Sequence, residues 1–124
     1  MFSSASIMAF VATKNPDKAK AFYQDVLKLK LRADEPFALV FDANGIMLRV
    51  SKVPELTPAP FTVLGWKVND IAAEIRELKG RGVTFELFKG FQQNDLAVWT
   101  SPSGAKVAWF KDPDGNLLSL TEFP

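Results

Sequence analysis

The sequence predicts an α+β fold built from two β-α-β-β-β modules. A helix-starting residue recurs, Asn15 and then Asp70, each after an apolar run. A hairpin turn recurs as well, first Asp42-Ala43-Asn44-Gly45 and then Asp112-Pro113-Asp114-Gly115. Between the halves lies a stretch with Pro54, Pro58 and Pro60, the best linker candidate in the chain. The 124 residues are therefore read as one domain of two repeated modules, about 5–51 and 61–123, joined by 52–60.

Each element has a local reason. Ile7 to Thr13 is apolar and strand-like. Asn15-Pro16-Asp17 reads as a helix start, with Asn15 capping, Pro16 at the first helical position and Asp17 facing the positive end of the dipole. Ala19, Phe22, Tyr23, Val26 and Leu27 follow at helical spacing and form one buried stripe. A strand begins within Leu29 to Arg32, and Pro36 breaks the chain. Phe37 to Phe41 and Ile46 to Val50 pair across the first turn.

The second half repeats the order. Phe61 to Val68 is a strand. Asp70 caps a helix with Ile71, Ile75 and Leu78 on one face, and Gly80 and Gly82 end it. Val83 to Leu87, Leu96 to Thr100, Ala105 to Lys111 and Asn116 to Thr121 read as strands. The span from cap to turn is longer here than in the first half, so this half carries an insertion, placed over Phe88 to Pro102.

Composition excludes several chemistries. Hydrophobic residues are 48% and charged residues 23%, ordinary for a globular chain. Lys and Arg number 15 against 14 Asp and Glu, a net charge of +1, so no strong field exists to hold nucleic acid or an anionic membrane. Cysteine and histidine are both absent. That removes disulfides, thiol nucleophiles, zinc fingers, Ser-His catalysis and histidine-ligated metals. Met1 to Phe10 does not read as a signal peptide, and no run approaches the ~20 apolar residues of a membrane helix. A cytoplasmic location is the expectation.

Strand parity sorts the side chains. One sheet face buries the helix stripe and the other is free. A three-residue turn ending in glycine pairs Asp42 with Ile46 and Leu39 with Arg49; the same geometry pairs Trp109 with Ser119 and Lys111 with Leu117. The free face then carries Met8, Phe10, Leu39, Phe41, Met47, Arg49, Val63, Lys67, Trp109, Leu117 and Ser119. It is apolar and aromatic, with two cations. A slip of one residue inverts a hairpin's contribution.

The segment Ala21-Phe22-Tyr23-Gln24-Asp25-Val26-Leu27, with Asp112-Pro113-Asp114-Gly115-Asn116 near the end, resembles the vicinal oxygen chelate superfamily. Glyoxalase I, extradiol dioxygenases and bleomycin-resistance proteins belong to it. The resemblance spans nearly the whole chain. It implies that the two modules curl into a cupped mixed sheet and that the chain pairs as a homodimer. In metal-dependent relatives four ligands come from two strand starts and two hairpin returns. Those positions fall on Met8, Arg49, Val63 and Ser119. None offers an anionic or imidazole donor, and Arg49 repels a divalent cation. No metal and no cofactor is expected. Lys28 stands where the family has the glycine that ends the first helix, which places a lysine in a left-handed conformation at a cost of about 1 kcal/mol.

The expected ligand-binding set is Phe10, Phe41, Met47, Arg49, Lys67, Trp99, Trp109 and Ser119. Arg49 can clamp a carboxylate or phosphate; its structural alternative is a salt bridge to Asp42, Glu35 or a partner chain. Trp109 and Phe41 can stack on a flat ligand or simply fill a core. Trp99, Phe88 and Phe91 lie in the insertion and form either a lid or a packed edge. Lys67 can neutralise an anion, or be solvated. Ser119 can donate one hydrogen bond but has no base to make it a nucleophile.

The leading expectation is a metal-free binder of a small organic molecule, aromatic or amphipathic, with the two cations suited to an anionic one. The alternative is a lyase, isomerase or dioxygenase-type enzyme with displaced ligands or acid-base chemistry from Glu122, Tyr23, Lys67 and Arg49; no catalytic residue is assigned. A structural or interaction module with a filled cup is the third reading.

Overall fold

The computed structural model describes all residues, Met1–Pro124. They form two compact units, Met1–Thr57 and Pro58–Pro124.

In the first unit a 3-10 turn over Phe2–Ser4 precedes β1 (Met8–Thr13), α1 (Pro16–Ala21), β2 (Lys30–Asp34), β3 (Ala38–Ala43) and β4 (Ile46–Lys52). The strand order is β1-β4-β3-β2. β1 runs parallel to β4 and the other neighbours are antiparallel. A parallel pair needs a crossover, and α1 lies in it. In the second unit β5 (Leu64–Lys67), α2 (Ile71–Gly80), β6 (Trp99–Thr100), β7 (Lys106–Lys111) and β8 (Leu117–Glu122) give the order β5-β8-β7-β6, with β5 parallel to β8. The repeat of turns and helix starts is thus a repeat of topology, and each unit is one mixed four-stranded sheet with a helix.

α1 starts as the spacing predicts, but by a different bond. Asn15 occupies the capping position without a side-chain cap; instead its own N–H donates to Thr13 Oγ1 at 3.0 Å. A π-helical turn over Phe22–Val26 continues the helix, and Lys28 ends it with φ 61°. Leu29 N then donates to the Tyr23 carbonyl at 3.0 Å, the closure that usually needs glycine at the left-handed position. Ala19, Phe22 and Tyr23 are buried, and the Tyr23 ring lies 5.8 Å from Phe41.

The first hairpin departs from the expected register. Ala43 pairs with Ile46, Asp42 with Met47, Phe41 with Leu48 and Val40 with Arg49. Asn44 and Gly45 have φ of 52° and 88°, so they form a two-residue turn, held by Gly45 N donating to Asp42 Oδ1 at 2.7 Å. The one-residue shift carries Leu39 and Phe41 to the core face, where Leu39, Phe41, Leu48 and Val50 are fully buried. Burying a ring such as Phe41 is worth about 2–3 kcal/mol, which sets the register firmly.

The second hairpin pairs as expected, Trp109 with Ser119 and Lys111 with Leu117. The Asp112 carboxylate accepts from Asp114 N at 2.9 Å, Asn116 N at 3.0 Å and Asn116 Nδ2 at 2.8 Å, fixing a three-residue turn. α2 is capped by Asp70 Oδ1, which accepts from Ala73 N at 3.1 Å, and by Glu122 Oε1, which accepts from Ile71 N at 3.0 Å. Ile71, Ile75 and Leu78 are buried, as are Phe85, Ala108, Phe110, Leu118 and Leu120.

Val83 to Leu87 is not a strand. Only Phe85 bridges Phe110, and Glu86 N donates to the Trp109 carbonyl at 2.8 Å. The chain then leaves the sheet and returns at Trp99, so the expected strand Leu96 to Thr100 shrinks to two residues. The fourth strand of this sheet is therefore interrupted by an excursion from Leu87 to Val98. Too few consecutive residues can reach β7 to build a longer ladder.

Candidate functional site

The sheet face of the second unit that points away from the core carries Gly65, Lys67, Val107, Trp109, Leu117, Ser119 and Thr121. Trp109 is its centre. Phe88 meets the indole edge to face at 5.3 Å, Phe91 stands at 5.6 Å and Trp99 at 6.2 Å with its ring tilted by 35°. Phe91 also meets Trp99 at 5.2 Å. Trp109 Nε1 donates to Thr62 Oγ1 at 3.1 Å, so the polar edge of the ring is satisfied and its orientation fixed.

Phe88 and Phe91 reach this face because the excursion is tied down by one side chain. Gln93 Oε1 accepts from Phe88 N at 2.8 Å, and Gln93 Nε2 donates to the carbonyls of Glu86 and Ala97, each at 2.9 Å. Asn94 Oδ1 accepts from Leu96 N and Val98 N, which turns the chain back toward β6. Backbone groups of an irregular segment are satisfied without a ladder.

Ser119 is buried opposite Trp109, beside Gly65, and a Cβ at Gly65 would stand 2.7 Å from Ser119 Oγ. Lys111 pairs with Glu86 at 3.5 Å. Lys67 is exposed and its ammonium has neither hydrogen bond nor ion pair, so its charge is uncompensated on this face.

The corresponding face of the first unit carries Met8, Phe10, Val40, Asp42, Met47 and Arg49. Met8, Phe10 and Met47 are 45%, 56% and 43% exposed. Arg49 Nη2 donates to Glu35 Oε1 at 3.3 Å, one of the salt bridges expected of it, and Arg32 pairs with Asp42 at 3.2 Å. A groove of about 350 Å³ runs over Arg32, Val40, Asp42 and Met47. At the edge of the sheet, Lys52 donates to Asp34 at 2.6 Å with Lys20 at 3.6 Å. The hydrogen bond from Lys52, and the charges of Lys52 and Lys20, hold the Asp34 carboxyl below its usual range.

Of the residues expected at the site, Phe10, Met47 and Arg49 share one face of the first unit, and Lys67, Trp99, Trp109 and Ser119 share one face of the second. Phe41 is corrected: its ring lies under the helix, fully buried. Two groups of the enzymatic alternative are corrected as well. Tyr23 is fully buried in the core of its unit, and Glu122 is spent on the N-terminus of α2 and on Lys106 at 3.6 Å. Thr62 and Gln93 were not anticipated. Gln93 has no signal in sequence, because its partners are backbone atoms.

The four positions onto which the resemblance carries the metal ligands, Met8, Arg49, Val63 and Ser119, do not offer a set of donors that fits a metal ion. Met8 and Val63 are exposed apolar residues, Arg49 is a cation and Ser119 offers a lone hydroxyl. Nowhere do three or more His, Cys, Asp or Glu side chains gather as they would around a metal ion. No helix is long and apolar enough to cross a membrane.

The sequence profile of the Glyoxalase/Bleomycin resistance protein/Dioxygenase superfamily matches residues 5–120, and the chain belongs to that superfamily. Solved structures share its fold. TnmS3, an antibiotic binding protein from Streptomyces sp. CB03234, is 25% identical with a TM-score of 0.72, over 98% of each chain. Lactoylglutathione lyase from Agrobacterium tumefaciens is 18% identical with a TM-score of 0.73, over 96% of this chain and 93% of that one. The fosfomycin resistance protein FosX from Listeria monocytogenes is 14% identical with a TM-score of 0.74, over 98% and 94%. No curated protein matches the chain.

Proposed function

We propose that this protein binds a small, flat aromatic molecule bearing an anionic group, without a metal, on the sheet face around Trp109. The observation that carries this reading is the four-ring cluster of Phe88, Phe91, Trp99 and Trp109 on the same sheet face as an uncompensated Lys67. Rings offer a stacking surface, and the ammonium offers a partner for a carboxylate or sulfonate. Ser119 supplies one hydrogen-bonding group at the same face. Arg49, Phe10 and Met47 are proposed as contacts for a ligand on the sheet face of the first unit, considered by itself, Arg49 on release from Glu35. That TnmS3 is an antibiotic binding protein and FosX a fosfomycin resistance protein supports a binding role for this fold. The near-neutral charge supports a small-molecule partner over nucleic acid. A cytoplasmic homodimer is part of the same reading, supported by the exposed Met8, Phe10 and Met47 and by the edge strands β1 and β2 of the first sheet, which pair with no further strand.

Titration of the full chain with 2-naphthoate and its neutral amide, read by calorimetry before and after treatment with a chelator, tests the proposal. Naphthoate binding that survives the chelator and weakens in Trp109→Leu is the expected result. Binding that vanishes with the chelator, or no binding of either probe, overturns it, the second outcome in favour of a filled structural module.

A further inference from the structure

Where Gln93 bridges Trp99 at the edge of β6, an open groove of about 380 Å³ is lined by Gln92, Gln93, Asn94, Val98, Trp99 and Thr100. The volume falls within the range of small-molecule sites. No charged residue lines it. The Gln92 carboxamide and the Thr100 hydroxyl have no partner within the protein. Asn94 spends its oxygen on Leu96 N and Val98 N, which leaves its NH₂ free to donate. Gln93 is fully engaged and holds the wall rigid. The groove therefore presents one aromatic surface and several free amide and hydroxyl groups, both donors and acceptors, on a preorganised frame.

We infer that this groove is a subsite for a neutral polyhydroxylated group, a glycosyl substituent, carried by the aromatic ligand of the adjoining ring cluster. The chemistry selects this class. Each sugar hydroxyl both donates and accepts, as carboxamides and threonine do, and the C–H face of a pyranose packs on an indole. A charged substituent would find no counter-ion here. Trp99 belongs to both places: it lines the groove and contacts Phe91 and Trp109. One ligand can span them. The inference rests on the proposed binding of an aromatic core at Trp109, and the two fail separately.

The test is nitrogen-15 NMR of the full chain with three probes: 4-methylumbelliferone, its β-glucoside, and methyl β-glucoside. The side-chain amides of Gln92 and Asn94 and the indole N–H of Trp99 and Trp109 report directly. The expected result is that both glucosides move the Gln92, Asn94 and Trp99 signals. The umbelliferyl glucoside binds roughly tenfold tighter than umbelliferone, the gain expected of two net hydrogen bonds. The double variant Gln92→Ala with Thr100→Ala removes that gain and leaves umbelliferone binding unchanged. If neither glucoside moves the groove signals, or if the gain survives the double variant, the subsite is overturned. Failure of umbelliferone to move Trp109, with methyl glucoside still moving Gln92, instead sinks the aromatic site and keeps the groove.

Discussion

The hydroxyl of Ser119 occupies the space that a side chain at Gly65 would need. A Cβ built on Gly65 stands 2.7 Å from Ser119 Oγ and 3.4 Å from the Ser119 carbonyl oxygen. The two residues face each other across the parallel β5–β8 pair, so neither can move without disturbing the ladder. Gly65→Ala is expected to destabilise the fold by about 1–2 kcal/mol, as forced overpacking does. Adding Ser119→Ala should recover most of the loss, because the closest atom is then gone. Urea denaturation of the two single variants and the pair measures the coupling; a fully additive cycle would show that the hydroxyl is not what excludes a side chain.

Lys28 predicts the opposite sign. Its φ of 61° is left-handed, and its side chain has no partner that repays the strain. Lys28→Gly relieves that strain but adds backbone freedom to the unfolded chain. The net expectation is a gain of about 0.5–1 kcal/mol, read as a higher thermal midpoint. A lower midpoint would mean that the lysine contributes something its exposed position does not reveal.

The same two units show what a sequence carries. The Asp112 turn was legible because its acid and amide side chains have one way to bond the surrounding backbone. Lys28 was legible as a departure from the glycine that its position calls for. The first hairpin was not, since Asp42-Ala43-Asn44-Gly45 accommodates a two-residue or a three-residue turn, and burial of Phe41 and Leu48 decides between them. Apolar periodicity located both helices. It could not locate Phe88 and Phe91, which reach Trp109 through an excursion with no period.

Gln93 carries that excursion. Gln93→Leu keeps the side-chain volume but leaves Phe88 N and the carbonyls of Glu86 and Ala97 without their present partner. A loss of about 1–3 kcal/mol is expected. The specific signature is optical: near-ultraviolet circular dichroism from the coupled Trp99 and Trp109 should fall more than the far-ultraviolet signal. Equal fractional losses would point to general unfolding instead.

Asp34 sets a pH dependence for the first unit. Its carboxyl is held below the ordinary value of 3.8, chiefly by the hydrogen bond from Lys52 and then by the charges of Lys52 and Lys20. A depressed carboxylate stabilises the fold above the unfolded pKa, and that contribution disappears as pH falls through the lower folded value. Stability should therefore decline below about pH 4, and Asp34→Asn should flatten that part of the profile. The carboxylate is solvent-exposed and salt screens it, so the effect should be smaller at high ionic strength. A profile that Asp34→Asn leaves unchanged would assign the acid sensitivity to other carboxylates.

Lys67 decides whether the ring cluster prefers anions. It is the one cation on its sheet face without a counter-ion, since Lys111 is engaged by Glu86. Lys67→Gln keeps an unbranched polar side chain, one atom shorter, and removes the charge. Binding of 2-naphthoate should weaken about threefold, the scale of an exposed ion pair, and binding of 2-naphthamide should not change. Added salt should erase the difference between wild type and variant, because the lost interaction is a screened one. If both probes weaken equally, Lys67 contributes contact rather than charge, and the anionic preference falls while the aromatic one stands.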